Sequence, residues 1–462
     1  MNRFVRSLLA IGLASAQVVA VAAIATAAPE SAPDIKDRIA AIPGVRIISE
    51  GTSGTARTFV LGIQQPADHR KPRGGKFEQR FSLLHKAESK PMVLHTSGYH
   101  LPGTIGASEP ARLVDGNQIS VEQRFFAPSR PAPADWDDLN IWQAANDHHR
   151  IVGAFKKIYG AKWLSTGASK GGMTSIYHRR FFPRDVDATI AYVAPNDVVN
   201  DRDVYGEFIK NVGNDPACNR RLEGVQRQIL QNRDAIVARL EAKGYTYKQF
   251  GNAHRALEVL VLDTPFTFWQ YGTQDQCALV PGAAASVDDL WTFIDKTVGW
   301  DFYTDAGVAP YDTYYYQAGT QLGWPEADES AVRDLLRYPG VSVPRTMVPA
   351  EIKFARFDRH AMKDVDRWVR YEGSRLLFVN GQNDPWSAEP FTLGRGTRDS
   401  LSFAVPGGNH GANIAKLPEK ERAAATAAVL RWAGVSAPAA SLSVATADED
   451  PDSLDALRAR RG

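Results

Sequence analysis

Two cysteines in 462 residues, and no cluster of cysteine and histidine at metal-ligand spacing, set the first limits on this chain. There is no H-E-x-x-H segment, so no metal site and no cofactor are expected. Net charge is nearly absent: 54 Lys and Arg against 52 Asp and Glu leave +2. That balance argues against a nucleic acid or a charged membrane surface as the target. Internal repeats are missing as well. Beyond the first 25 or so residues, no stretch is apolar enough to span a bilayer.

The start of the chain reads as an export signal. Arg3 and Arg6 form a basic start, Leu8 to Ala25 carries no charge, and Ala25-Thr26-Ala27 is a small-x-small cleavage pattern. Residues 1–27 are therefore expected to be removed, leaving a secreted protein, extracellular or periplasmic. The alternative, a membrane anchor, is disfavoured because the run is alanine-heavy and ends in the cleavage pattern and a proline. In an exported chain, Cys218 and Cys277 are expected to pair, which the chain-entropy model values at roughly 4 kcal/mol; two buried free thiols are the alternative. Aromatics are plentiful, with 10 Trp and 15 Tyr, and suit a groove or a core.

Hydrophobic patterning divides the rest. From Val45 to about Leu84 the chain reads as strands with turns, and Pro91–His95 as a buried strand ending at Thr96-Ser97-Gly98-Tyr99. A further strand, Ile119–Phe126, precedes a helix from about Leu139 to Tyr159, which Asp135 or Asp137 is placed to cap. Strands at Lys162–Thr166 and Asp187–Val193 follow. Strands alternating with helices at short spacing predict a mostly parallel α/β sheet. From Val198 to Pro344 the pattern is helical and aromatic, and it returns to α/β at Arg375–Asn380 and Ser402–Val405, with a closing helix from about Pro418 to Trp432. The expected organisation is an α/β core in two parts, 28–197 and 346–435, with a mainly helical cap inserted at 198–345. The tail, 436–462, is expected to be disordered.

Gly167-Ala168-Ser169-Lys170-Gly171 lies where the Lys162–Thr166 strand hands over to a helix. G-x-S-x-G in that setting is a nucleophile elbow: flanking side chains would clash in so sharp a turn, and the helix N-terminus offers N–H groups to an oxyanion. In α/β-hydrolases the acid and then the histidine follow the serine. Asp384, directly after the Phe378-Val379 strand, and His410, directly after the Phe403–Val405 strand, fall at the strand ends where such sites form. His410 would take the Ser169 proton while Asp384 fixes its tautomer. The oxyanion donors would be the Lys170 backbone N–H and a group on Gly98 or Tyr99. His148 and His149 lie in an amphipathic helix, where a structural role is expected.

With those residues assembled, the chain resembles the family S37 serine peptidases, the secreted tripeptidyl aminopeptidases of actinomycete type, over residues 45–435. The specific segments are Trp163–Thr174 and Tyr192–Asp197. Glu122–Phe126 and Asn383–Trp386 are similar to the related prolyl carboxypeptidase and dipeptidyl peptidase group. Glu122-Gln123-Arg124 departs from that group's usual Glu-His-Arg. The resemblance implies an exopeptidase that releases short peptides, typically tripeptides, from free N-termini, often favouring proline before the scissile bond. It assigns Ser169 as nucleophile, Asp384 as acid and His410 as base, and implies no metal or cofactor.

A free N-terminal ammonium needs an anion at a set distance from the nucleophile. Glu207 is the first candidate and Asp203 the second. Trp386 and the Tyr314–Tyr316 cluster are candidates for an aromatic, proline-binding wall. The competing function is a secreted esterase or lipase on the same fold, because fold does not fix substrate; a non-catalytic relative would lack a triad member, and none is missing.

Overall fold

The protein, described as a computed structural model over residues 33–200 and 204–436, is organised on one nine-stranded sheet. In chain order the strands are β1 Val45–Ser53, β2 Ala56–Pro66, β3 Lys76–His85, β4 Met92–Thr96, β5 Asn117–Val121, β6 Trp163–Ala168, β7 Ala188–Tyr192, β8 Leu376–Gly381 and β9 Leu401–Val405. Their spatial order is β1-β2-β3-β5-β4-β6-β7-β8-β9. The first three and the β3–β5 pairing are antiparallel; from β5 to β9 every pairing is parallel. This is the α/β-hydrolase arrangement, and it brings the carboxyl ends of β4, β6, β7, β8 and β9 to one edge.

The central strands are apolar on both sides because both faces are covered. Val93, Leu164, Ile190, Leu377 and Val379 pack with the closing helix, Glu419–Ala433, and with Leu113 and Val114. Their alternates, Leu94 and Trp163 at one end and Ala191, Leu376 and Phe378 at the other, meet the helices Ile141–Phe155, Lys170–Phe181 and Ala361–Tyr371. A one-residue slip of any strand would exchange the two sets.

Between β7 and β8 runs a long helical segment in which the described residues form no strand of the sheet. It includes Tyr205–Asn211, Pro216–Gln231, Arg233–Ala242, Ala253–Tyr271 and Val287–Thr297. Its own apolar core contains Leu222, Val225, Leu257, Val261, Trp269, Leu290 and Trp300. Cys218 and Cys277 are bonded within it, with Cα atoms 5.3 Å apart.

Several local expectations change. Asn140 caps the helix that begins at Ile141, its side chain accepting from the Gln143 N–H, whereas Asp135 caps only a single 3₁₀ turn at Trp136–Asp138. The strand expected to reach Phe126 stops at Val121. Residues 122–126 leave the sheet and are held by buried polar groups: both Asp147 oxygens accept from Arg124, at 2.6 and 2.9 Å, and Glu122 accepts from Arg80 and Ser129. Burial works against the Asp147 charge, yet Arg124 holds that carboxyl below its ordinary range. The export signal and all but the first residue of the tail lie outside the described residues, as does Asp203. Among the described residues no helix is long and apolar enough to cross a membrane.

Candidate active site

The elbow is built from close backbone contacts. Ser169 follows β6 with φ 54°, ψ −129°, a strained region for a residue with a Cβ, which costs of order 1–3 kcal/mol and is sustained by its surroundings. Its N–H donates to the Tyr192 carbonyl of the neighbouring strand at 2.9 Å. A Cβ at Gly167 would stand 2.4 Å from the Gly171 carbonyl, and one at Gly171 would stand 2.3 Å from the Thr96 oxygen. The β4 loop is therefore pressed directly onto the start of the elbow helix. Thr96 Oγ1 reinforces the contact by donating to the Gly171 carbonyl at 2.7 Å.

Asp384 and His410 come from the loops after β8 and β9. The loops are tied to each other by the Asn383 N–H, which donates to Gly408 O at 2.8 Å. His410 Nδ1 lies 2.7 Å from Asp384 Oδ2, with both side chains fully buried. The other Asp384 oxygen accepts from the Trp386 N–H. With Nδ1 committed to Asp384, Nε2 is the ring nitrogen left to serve a hydroxyl.

A feature invisible in the sequence holds the histidine loop. The last carbonyls of the long helix Ala253–Tyr271 need partners outside the helix. Gln270 O accepts from the His410 N–H at 2.9 Å, and Tyr271 O and Gly272 O accept from Asn409 Nδ2. The helical segment thus reaches down to the His410 loop.

Ser169 opens into a cavity between the sheet edge and that segment. Its walls include Tyr99, Tyr205, Phe266, Tyr314, Tyr315, Trp324 and Trp386. Trp386 lies edge-on to Phe266 and Tyr205 and its ring centre is 6.3 Å from that of His410. Of the three tyrosines expected on this wall, Tyr316 faces a different groove, beside Trp136.

Glu207 lies apart from the cavity wall. It is exposed, accepts a hydrogen bond from Asn211 on its own helix, and does not line the cavity, although its neighbour Gly206 does. The carboxylates that do line it are Asp263, Glu326 and Asp328. Asp328 is already paired with Lys210 at 2.6 Å; burial opposes its charge, but Lys210 and Ser330 hold it below its usual range. Asp263 accepts from Thr267 Oγ1. None of the three was singled out in the sequence, because an isolated acid, on the helix for Asp263 or in a loop for Glu326 and Asp328, carries no local signature.

His148 is buried with Nδ1 2.6 Å from Ala144 O, and His149 meets Asp185, so both have structural partners. Among the described residues no group of three or more His, Cys, Asp or Glu is arranged to hold a metal.

Residues 27–461 match the family model described as PS-10 peptidase S37. The chain belongs to the S37 peptidases. It is a serine peptidase and a hydrolase, and the match runs beyond the 45–435 stretch that carries the motifs. An S37 relative, the prolyl tri/tetrapeptidyl aminopeptidase of Streptomyces mobaraensis, is 52% identical over 444 residues, covering 94% of this chain and 93% of that one. Two solved structures that it resembles are far more distant. The peroxisomal α/β-hydrolase Lpx1 of Saccharomyces cerevisiae aligns with 85% of this chain and 94% of its own at 9% identity and TM-score 0.37. The proline iminopeptidase of Mycobacterium smegmatis aligns with 80% and 98% at 14% identity and TM-score 0.34. The sheet order of this S37 chain, rather than those superpositions, supports its fold.

Proposed function

We infer that this S37 peptidase is an exported exopeptidase that removes tripeptides or tetrapeptides from free N-termini, with Ser169, His410 and Asp384 as its triad. Ser169 Oγ attacks the scissile carbonyl as its proton passes to His410 Nε2. The oxyanion is met by backbone N–H groups at the elbow. Collapse expels the amine half, which takes the proton from His410, and water then hydrolyses the acyl-enzyme by the same route. The helical segment acts as a cap inserted at about 198–345, and residues 1–27 act as the export signal.

The observation that carries this reading is the position of carboxylates along the cavity wall. Gln270 and Asp263 both face it from one helix, Ala253–Tyr271. Gln270 is bonded to the backbone of His410 and so marks the catalytic end. Asp263 stands two turns farther along, about 10 Å at 1.5 Å per residue. An extended peptide advances roughly 3.3 Å per residue, so that span fits about three residues. Asp263, which shares the cavity wall with Glu326, takes the role first considered for Glu207: it receives the N-terminal ammonium and sets the length released. The aromatic wall that includes Trp386 and Tyr314 suits a proline ring, in keeping with the name of the Streptomyces mobaraensis relative.

The test is turnover of matched chromogenic peptides of two to five residues, each with a free or an acetylated N-terminus, beside Ser169→Ala. Cleavage confined to free-amine peptides of three or four residues is expected. Equal turnover of acetylated peptides would refute the exopeptidase assignment. Hydrolysis of simple esters alone would point to an esterase.

A further inference from the structure

We propose that the Lys170 side chain is a positioning residue of the oxyanion site: it holds the Gly98 carbonyl, so that residue 170 offers one donor from its backbone and fixes a second donor through its ammonium. This rests on Ser169 being the nucleophile.

Lys170 is only 2% exposed. No carboxylate pairs with it among the described residues, and burial alone pulls its pKa down to about 7. A buried ammonium without a counter-ion is costly, and its packing could be supplied by an apolar side chain of similar length. What it does have is directional. Nζ donates to the Gly98 carbonyl oxygen and lies 5.4 Å from the centres of both the Tyr99 and Phe126 rings. Cation–π attraction from two sides keeps the charge in place.

The arrangement decides between the two backbone N–H donors, of Gly98 and of Tyr99, among those the sequence left open. The Tyr99 N–H donates to Ser97 Oγ at 3.1 Å and is therefore committed within its own loop. The Gly98 N–H has no hydrogen-bond partner among the described residues, and neither has the Lys170 N–H at the first turn of the elbow helix. Gly98 has φ +75°, and a Cβ there would stand 2.6 Å from the Gly171 nitrogen. Residue 98 thus lies against the elbow in a conformation suited to glycine, with its carbonyl clamped by Lys170 and its N–H left for an oxyanion.

Lys170→Met preserves the backbone donor and the volume while removing the clamp. Peptide kinetics, thermal melting and binding of a peptide aldehyde, which forms a tetrahedral adduct, are compared with the wild type. A fluorophosphonate probe first establishes that Ser169 is the labelled nucleophile. Expected are a kcat lowered 10- to 100-fold, KM within twofold, aldehyde affinity weakened by a similar factor, and an unchanged or higher Tm because an unpaired buried charge is gone. Lys170→Gln, uncharged but still a donor, should fall between the two. A kcat within twofold of wild type would overturn the proposal, as would a loss of activity matched by a lower Tm, which would make Lys170 merely structural. Peptide turnover without labelling at Ser169 would instead overturn the triad, a distinct failure.

Discussion

His410 Nδ1 and Asp384 Oδ2 stand 2.7 Å apart in a pocket from which water is excluded. Asp384 can therefore fix the histidine tautomer without solvent competition. Asp384→Asn should keep the fold and lower kcat on the order of 10⁴-fold, as the wrong tautomer does in other triads. Circular dichroism and single-turnover kinetics on the same sample would check this; a loss below tenfold would remove Asp384 from the triad.

The amine anchor makes a separate demand. Asp263→Asn should lower kcat/KM for free-amine tripeptides about 10- to 100-fold, the range expected for losing a charge-assisted hydrogen bond. Acetylated peptides, expected to be poor substrates, should be unaffected, so the ratio between the two classes is the quantity to measure. Glu207→Gln should change neither.

Acid stability should depend on His148. Burial, with His178 adding repulsion, pushes its pKa down to about 4. The unfolded chain takes up a proton near pH 6.5 that the folded imidazole refuses until about pH 4. The associated stability is therefore present above pH 6.5 and is lost as pH falls towards 4, to a total on the order of 3 kcal/mol. Melting temperatures between pH 7 and 4.5 should fall less steeply for His148→Gln than for the wild type.

The Cys218–Cys277 bond closes a 59-residue separation within the helical segment and is not part of the cavity wall. Replacing both cysteines with serine should cost roughly 2–5 kcal/mol by denaturant melting. At low temperature kcat should stay close to that of the parent.

Local rules read the chain best where one short segment contained the whole requirement. The elbow was legible because Gly167, Ser169 and Gly171 are adjacent in sequence and the turn demands them. The strand runs at Met92–Thr96 and Leu376–Gly381 were legible because burial on both faces leaves continuous apolar letters. The helix cap was misplaced because Asp135 and Asn140 are chemically equivalent cap residues, and only the chain path selects which one begins the long helix.

What the sequence supplied by itself was a set of local expectations: an export signal, a nucleophile elbow, and an acid and a histidine in the expected order at strand ends. What only the tertiary structure decided was which distant groups meet. Asp263 rather than Glu207 lines the cavity because the helix Ala253–Tyr271 turns that face inwards and anchors its end on the His410 loop. Lys170 meets Gly98 because the loop after β4 is packed on the elbow. Periodicity and turn chemistry act over a few residues, whereas those contacts join residues tens to more than a hundred positions apart, where only the packing of the whole chain chooses the partner.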